Sequence, residues 1–144
     1  MNLQQLQALA ASVGFPDPNL AAAIAQAESG GDPNAYNTEG SYGLWQIDIV
    51  YNPRYQSNPS VLFDPVTNAK AAYAISKHGT VWTGWTTYRT GLYKQWYTPP
   101  IPPASSYPLS HVALIAAGAA SAALLGWLAW KEYREPGYIL PRTS

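Results

Sequence analysis

The chain has 144 residues, eight Lys and Arg balanced by eight Asp and Glu, two His and no Cys. That length fits one folded domain, and zero formal net charge with no basic stretch leaves nothing to follow a phosphate backbone, so nucleic acid is set aside as a partner. Absent cysteine excludes disulfides, thiolate zinc sites and Cys nucleophiles, and His78 and His111, far apart and without a carboxylate at ligand spacing, give no metal centre.

In chain order, Leu3, Leu6, Leu9 or Ala10, and Val13 share one helical face, with Asn2 as cap and Gly14 as stop. Asp17-Pro18 supplies an N-cap and a first-turn proline for a second helix, whose Leu20, Ile24 and Ala27 share a face and which ends near Glu28 and Gly30-Gly31. Residues 32–59 are rich in Gly, Asn, Pro, Ser and Tyr and predict loops, with a short strand or hairpin around 42–49. Asp64-Pro65 opens a third helix through Ala69, Ala72, Tyr73 and Ile75 to Gly79. A last helix is predicted over 81–96, striped by Trp82, Trp85, Tyr88 or Arg89, and Tyr93. Residues 1–97 thus read as a small, mainly helical domain.

A different composition follows. Residues 98–110 carry Pro99, Pro100, Pro102, Pro103 and Pro108 and predict an extended, semi-rigid spacer. The apolar run that begins at Val112 and closes at Trp130 has no charge. At ~1.5 Å per residue it matches a bilayer core of ~30 Å, so residues 111–130 read as one transmembrane helix. Tyr107 before it and Trp127, Trp130 and Tyr133 at its far end form an aromatic belt. Lys131, Arg134 and Arg142 follow the span, which puts the tail, 131–144, inside and the N-terminal domain outside. Gly118, Ala122 and Gly126 recur every fourth residue and offer a face for helix–helix self-association. The start, Met1-Asn2-Leu3-Gln4-Gln5, lacks the basic and apolar regions of a cleavable signal peptide.

The chemistry centres on Glu28. A carboxyl group where a helix stops feels the negative end of the helix dipole, which disfavours ionisation and suits a general acid. Of the other carboxylates in the domain, Asp17 and Asp64 read as helix caps and Glu39 lies in a glycine-flanked loop, leaving Asp32 and Asp48 as second-carboxylate candidates for a hydrolytic route.

Three segments carry a family resemblance. Glu28-Ser29-Gly30-Gly31 with Asp32-Pro33-Asn34-Ala35, then Gly43-Leu44-Trp45-Gln46-Ile47, then Thr87-Tyr88-Arg89-Thr90-Gly91 resemble the Glu-Ser, Gly-Leu-Met-Gln-Ile and Ala-Tyr-Asn-Ala-Gly motifs of the soluble lytic transglycosylase and goose-type lysozyme family, with Arg89 where that family has Asn. Asp64-Pro65-Val66-Thr67-Asn68-Ala69 is similar to the segment opening the family's next helix. The resemblance covers roughly residues 5–97 and looks closest to phage-borne members. It implies an α+β lysozyme-like fold, no cofactor, and peptidoglycan as the partner, cleaved between N-acetylmuramic acid and N-acetylglucosamine. It further implies that Glu28 acts as acid and then base, while the substrate's own N-acetyl group assists and its C6 hydroxyl closes a 1,6-anhydro ring.

Beside Glu28, Ser29 is read as holding the N-acetyl group or the carboxyl, and Gln46 as a substrate-facing amide. Tyr42, Trp45 and Tyr88 are either packing or sugar-stacking surfaces, Leu44 and Ile47 core, and Arg89 an exposed helix residue. The sequence therefore predicts a membrane-anchored lytic transglycosylase, in a virion or bacterial inner membrane, opening the cell wall for delivery of a viral genome. A hydrolytic lysozyme of the same fold, and a catalytically weak peptidoglycan-binding or structural membrane protein of a virion or secretion apparatus, are the alternatives.

Overall fold

A computed structural model of the protein describes residues 1–100. The spacer beyond Pro100, the span from Val112 to Trp130 with its Gly118, Ala122 and Gly126 face, and the tail lie outside the described residues. Among the described residues, no helix is long and apolar enough to cross a membrane.

The first helix, α1 (Leu3–Val13), starts where Asn2 and Gln5 bond each other's backbone N–H in a capping box, and stops at Gly14 in the left-handed conformation. The second, α2 (Pro18–Ser29), begins with the Asp17 side chain accepting from the Leu20 N–H at 2.9 Å and ends at left-handed Gly30. Ala21 through Ala25 are all buried, so α2 is covered on nearly every side. Its small side chains let α1, through Leu6 and Ala10, approach closely.

Two-residue strands β1 (Ser41–Tyr42) and β2 (Ile47–Asp48) pair antiparallel, Ser41 opposite Asp48 and Tyr42 opposite Ile47. The turn between them points inward. Leu44 and Trp45 are fully buried at its tip, and the Trp45 indole N–H donates to the Ala21 carbonyl of α2 at 3.0 Å. Two 3-10 turns, Pro53–Tyr55 and Pro59–Phe63, lead to α3 (Pro65–Ile75), capped by the Asp64 side chain accepting from the Thr67 N–H. Asn68, fully buried on α3, locks the hairpin turn: its oxygen accepts from the Trp45 N–H, and its amide donates to the Tyr42 and Leu62 carbonyls, all at 2.9 Å. Gly43 sits at φ 72°, where a Cβ would collide with the Leu62 carbonyl oxygen and the Asn68 amide.

The last expected helices are shorter than predicted. α3 stops at Ile75, and the chain turns through left-handed Lys77, His78 and Gly79. In place of one helix over 81–96 there is a turn closed by the Trp85 N–H on the Trp82 carbonyl, a single turn α4 (Thr86–Arg89), and a 3-10 turn Leu92–Gln95. Gly84 and left-handed Gly91 interrupt the run, and β-branched Thr83, Thr86 and Thr87 favour helix poorly, so burial of Trp82 and Trp85 decides the path. These two indoles, with Phe15 and Trp45, form an aromatic column in the core, with neighbouring ring centroids 4.9 to 5.9 Å apart. The domain is mainly helical with one small sheet, in line with the expected α+β class.

Candidate active site

Glu28 occupies the next-to-last position of α2, just before the chain breaks at Gly30 and Gly31. A half-buried side chain, it opens onto a cavity of about 480 Å³ between the hairpin and α4. The Thr87 hydroxyl on α4 donates to Glu28 Oε1 at 2.6 Å. One carboxyl oxygen is thereby held by a short hydrogen bond from a neutral hydroxyl.

Two influences act on the carboxyl proton in opposite directions. Burial pushes the Glu28 carboxyl above the ordinary carboxylate range, and the hydrogen bonds from Thr87 pull it back by a smaller amount. The cause is thus desolvation at the mouth of the core, where Trp85 forms part of the cavity wall and donates its indole N–H to the Trp45 carbonyl at 2.8 Å. The expectation from the helix end was an elevated pKa through the dipole; the direction agrees and the leading cause differs.

The hairpin supplies the facing wall. Gln46 lines the cavity from a left-handed backbone, φ 45°, a conformation costing a non-glycine residue roughly 1 kcal/mol. Its side-chain NH2 donates to the Gly43 carbonyl at 2.9 Å and the Ala35 carbonyl at 3.2 Å, pinning the turn, while Oε1 accepts from the Asn37 amide at 3.5 Å. The residue expected to be a substrate-facing amide is therefore half structural.

Three further charged side chains line the same cavity. Asp48, expected as a second carboxylate, is there, accepting from the Val50 N–H at 2.7 Å. Glu39, which its loop position had set aside, is there as well. Arg89, expected as a plain exposed helix residue, is exposed and forms part of the wall, its guanidinium donating to Thr86 Oγ1 at 2.9 Å.

Other sequence-predicted residues fall elsewhere. Asp32 is exposed away from the cavity and accepts from the Asn34 N–H, shaping the loop after α2. The Ser29 hydroxyl donates to the Ala25 carbonyl at 3.0 Å and accepts from the Gly31 N–H, so it finishes the helix and does not grip the Glu28 carboxyl. Trp45 is fully buried with its N–H consumed by Ala21, which removes it as a sugar-stacking surface. The Tyr42 ring packs between Tyr36 and Phe63, and the Tyr88 ring stacks on Tyr93 at 5.1 Å; neither lines the Glu28 cavity. Thr87 was the residue missed, although it opens the third motif, because a threonine's role as a hydroxyl donor emerges only when α4 is laid against the end of α2. Among the described residues no cluster of His, Asp or Glu could hold a metal ion.

A buried-edge carboxyl with a hydroxyl partner, facing more carboxylates across an open cavity, is equipped for proton transfer to and from an oxygen of a bound chain. A family model described as Lysozyme like domain matches residues 7–87, more than half of the chain, and takes in Glu28, the hairpin, Asn68 and Thr87. No curated protein and no solved structure gave a match. The chain therefore belongs to the lysozyme-like domain family, and cleavage of glycosidic bonds in peptidoglycan is the activity which that membership implies.

Proposed function

We propose that the protein is a membrane-anchored peptidoglycan lytic transglycosylase acting between N-acetylmuramic acid and N-acetylglucosamine, with Glu28 as its acid and base. The observation that carries this reading is the Glu28 carboxyl, raised by burial, hydrogen-bonded by Thr87 and opening onto a cavity of glycan-binding size. Protonated Glu28 gives its proton to the bridging oxygen, the bond from that oxygen to C1 breaks, and positive charge develops on the sugar. The carbonyl oxygen of the substrate's own acetamido group closes on C1 and holds that charge. Ionised Glu28 then takes the proton from the C6 hydroxyl, whose oxygen displaces the acetamido oxygen and leaves a 1,6-anhydro end.

A second reading has its own support. Glu39 and Asp48 line the Glu28 cavity, so a carboxylate is available to activate water or shield the cationic sugar, and the product is then a free reducing end. The transglycosylase reading predicts 1,6-anhydro ends when purified murein is digested and its muropeptides are weighed by mass spectrometry; reducing ends alone assign hydrolysis. Release of neither, with binding retained, leaves a peptidoglycan-binding or structural membrane protein. The spacer and the apolar run closing at Trp130 support tethering of the domain outside a bilayer, in a virion or a bacterial inner membrane, where it opens the wall locally for delivery of a viral genome.

A further inference from the structure

A glycan strand is longer than one cavity, and the chamber at Glu28 does not end at its own wall. A second cavity of about 380 Å³ adjoins it, and Tyr51, Asn52 and Ile75 line both, so the two form one groove running from the end of α2 to the end of α3. A sugar ring held in such a groove needs an exposed aromatic face. Trp45, Tyr42 and Tyr88 are committed to packing, whereas Tyr51 is 83 % exposed at the junction of the cavities. Its turn is braced: the Asn52 amide donates to the Asp48 carbonyl at 2.8 Å, and the Gln56 amide to the Ile49 carbonyl at 3.0 Å. An exposed tyrosine on a braced turn is presented to a ligand with little ordering left to do.

Charge differs along the groove. The Glu28 chamber carries Glu28, Glu39 and Asp48 against Arg89, while among the described residues the one charged side chain on the second cavity's wall is Arg54, whose guanidinium lies 4.9 Å from the Tyr55 ring centroid. Peptidoglycan alternates neutral sugars with sugars bearing a peptide stem that ends in carboxylates. Such a stem is repelled by the acidic chamber and attracted to the far end.

We propose that the groove past the Glu28 chamber is a second binding station for the glycan strand, in which Tyr51 stacks a sugar ring and Arg54 pairs with a carboxylate of the peptide stem. The proposal rests on the peptidoglycan reading above, and its test reads binding rather than turnover so that the two can fail separately.

Calorimetry on the full chain carrying Glu28→Gln compares two glycan oligomers of equal length, one with peptide stems and one stripped of them. Tyr51→Ala weakens binding of both roughly five- to tenfold. Arg54→Ala weakens only the stem-bearing oligomer, about threefold at low salt and less at high salt, while Lys70→Ala, an equal loss of charge on a different element, α3, changes neither. Thermal melts matching the parent show that the exposed substitutions leave the fold intact. Unchanged binding in Tyr51→Ala, an equal loss on both oligomers in Arg54→Ala, or no binding by the parent overturns the station. If these losses appear and the wild-type chain releases no cleavage product, the catalytic reading fails and the groove stands.

Discussion

The stretch that forms α1 and α2 and the stretch from Asp32 to Phe63 are of similar length, yet their backbones are stabilised in different ways. In the helices each turn is satisfied by its own backbone, the ends are closed by Asn2, Asp17, Gly14 and Gly30, and burial of alanine faces does the rest. In the hairpin and its flanks, two short strands carry little; side chains from Asn68, Gln46, Asn37 and Asn52 satisfy the main chain one group at a time. Glu28 stands on the first kind of structure and faces the second. The proposed acid is thereby fixed on a rigid helix, while the opposite wall is shaped by a loop that few mutations can alter without loosening it.

This comparison predicts where the domain is brittle. Asn68→Ala strands a buried N–H and two carbonyls, and is expected to cost about 3 kcal/mol or more in urea denaturation. Asp17→Ala removes one helix cap and the acceptor of the Tyr97 hydroxyl bond, and is expected to cost about 1 to 2 kcal/mol. A reversed order would mean that the hairpin is only loosely tied to α3. The smallest effect sharpens the site itself. The Thr87 bond favours ionised Glu28, so Thr87→Val should raise the Glu28 pKa further and move the alkaline limb of the activity profile to higher pH. A limb that stays in place or moves downward would show that Thr87 does not act on the proton.

Much of this structure was legible in the residues. Caps and stops such as Asp17, Asp64, Gly14 and Gly30 are local chemistry and fell where spacing put them. Glu28 at the close of α2 followed from the same pattern. The inward turn did not: Trp45 reads equally as an exposed platform or a core residue, and only the Ala21 carbonyl and the covering helices decide between them. Glu39 looked remote because loop geometry, not sequence distance, brings it to the cavity, and Tyr51 carries no periodic signal at all. The stretch 81–96 misled because tryptophans three apart mimic a helical stripe when they in fact close a turn on the core.

Protonation also couples the site to stability. Burial raises the Glu28 pKa, so the folded chain holds the proton more tightly than the unfolded one, and its contribution is fully present at acid pH. That contribution is lost as pH climbs from the ordinary carboxylate range through the raised value. The central claim, that this one carboxyl carries the bond cleavage, is tested most directly by turnover of purified murein by the Glu28→Gln protein, measured beside its binding to the same material. The expected result is a fall in rate of about a thousandfold with binding retained. A variant that cleaves at close to the wild-type rate would contradict the account.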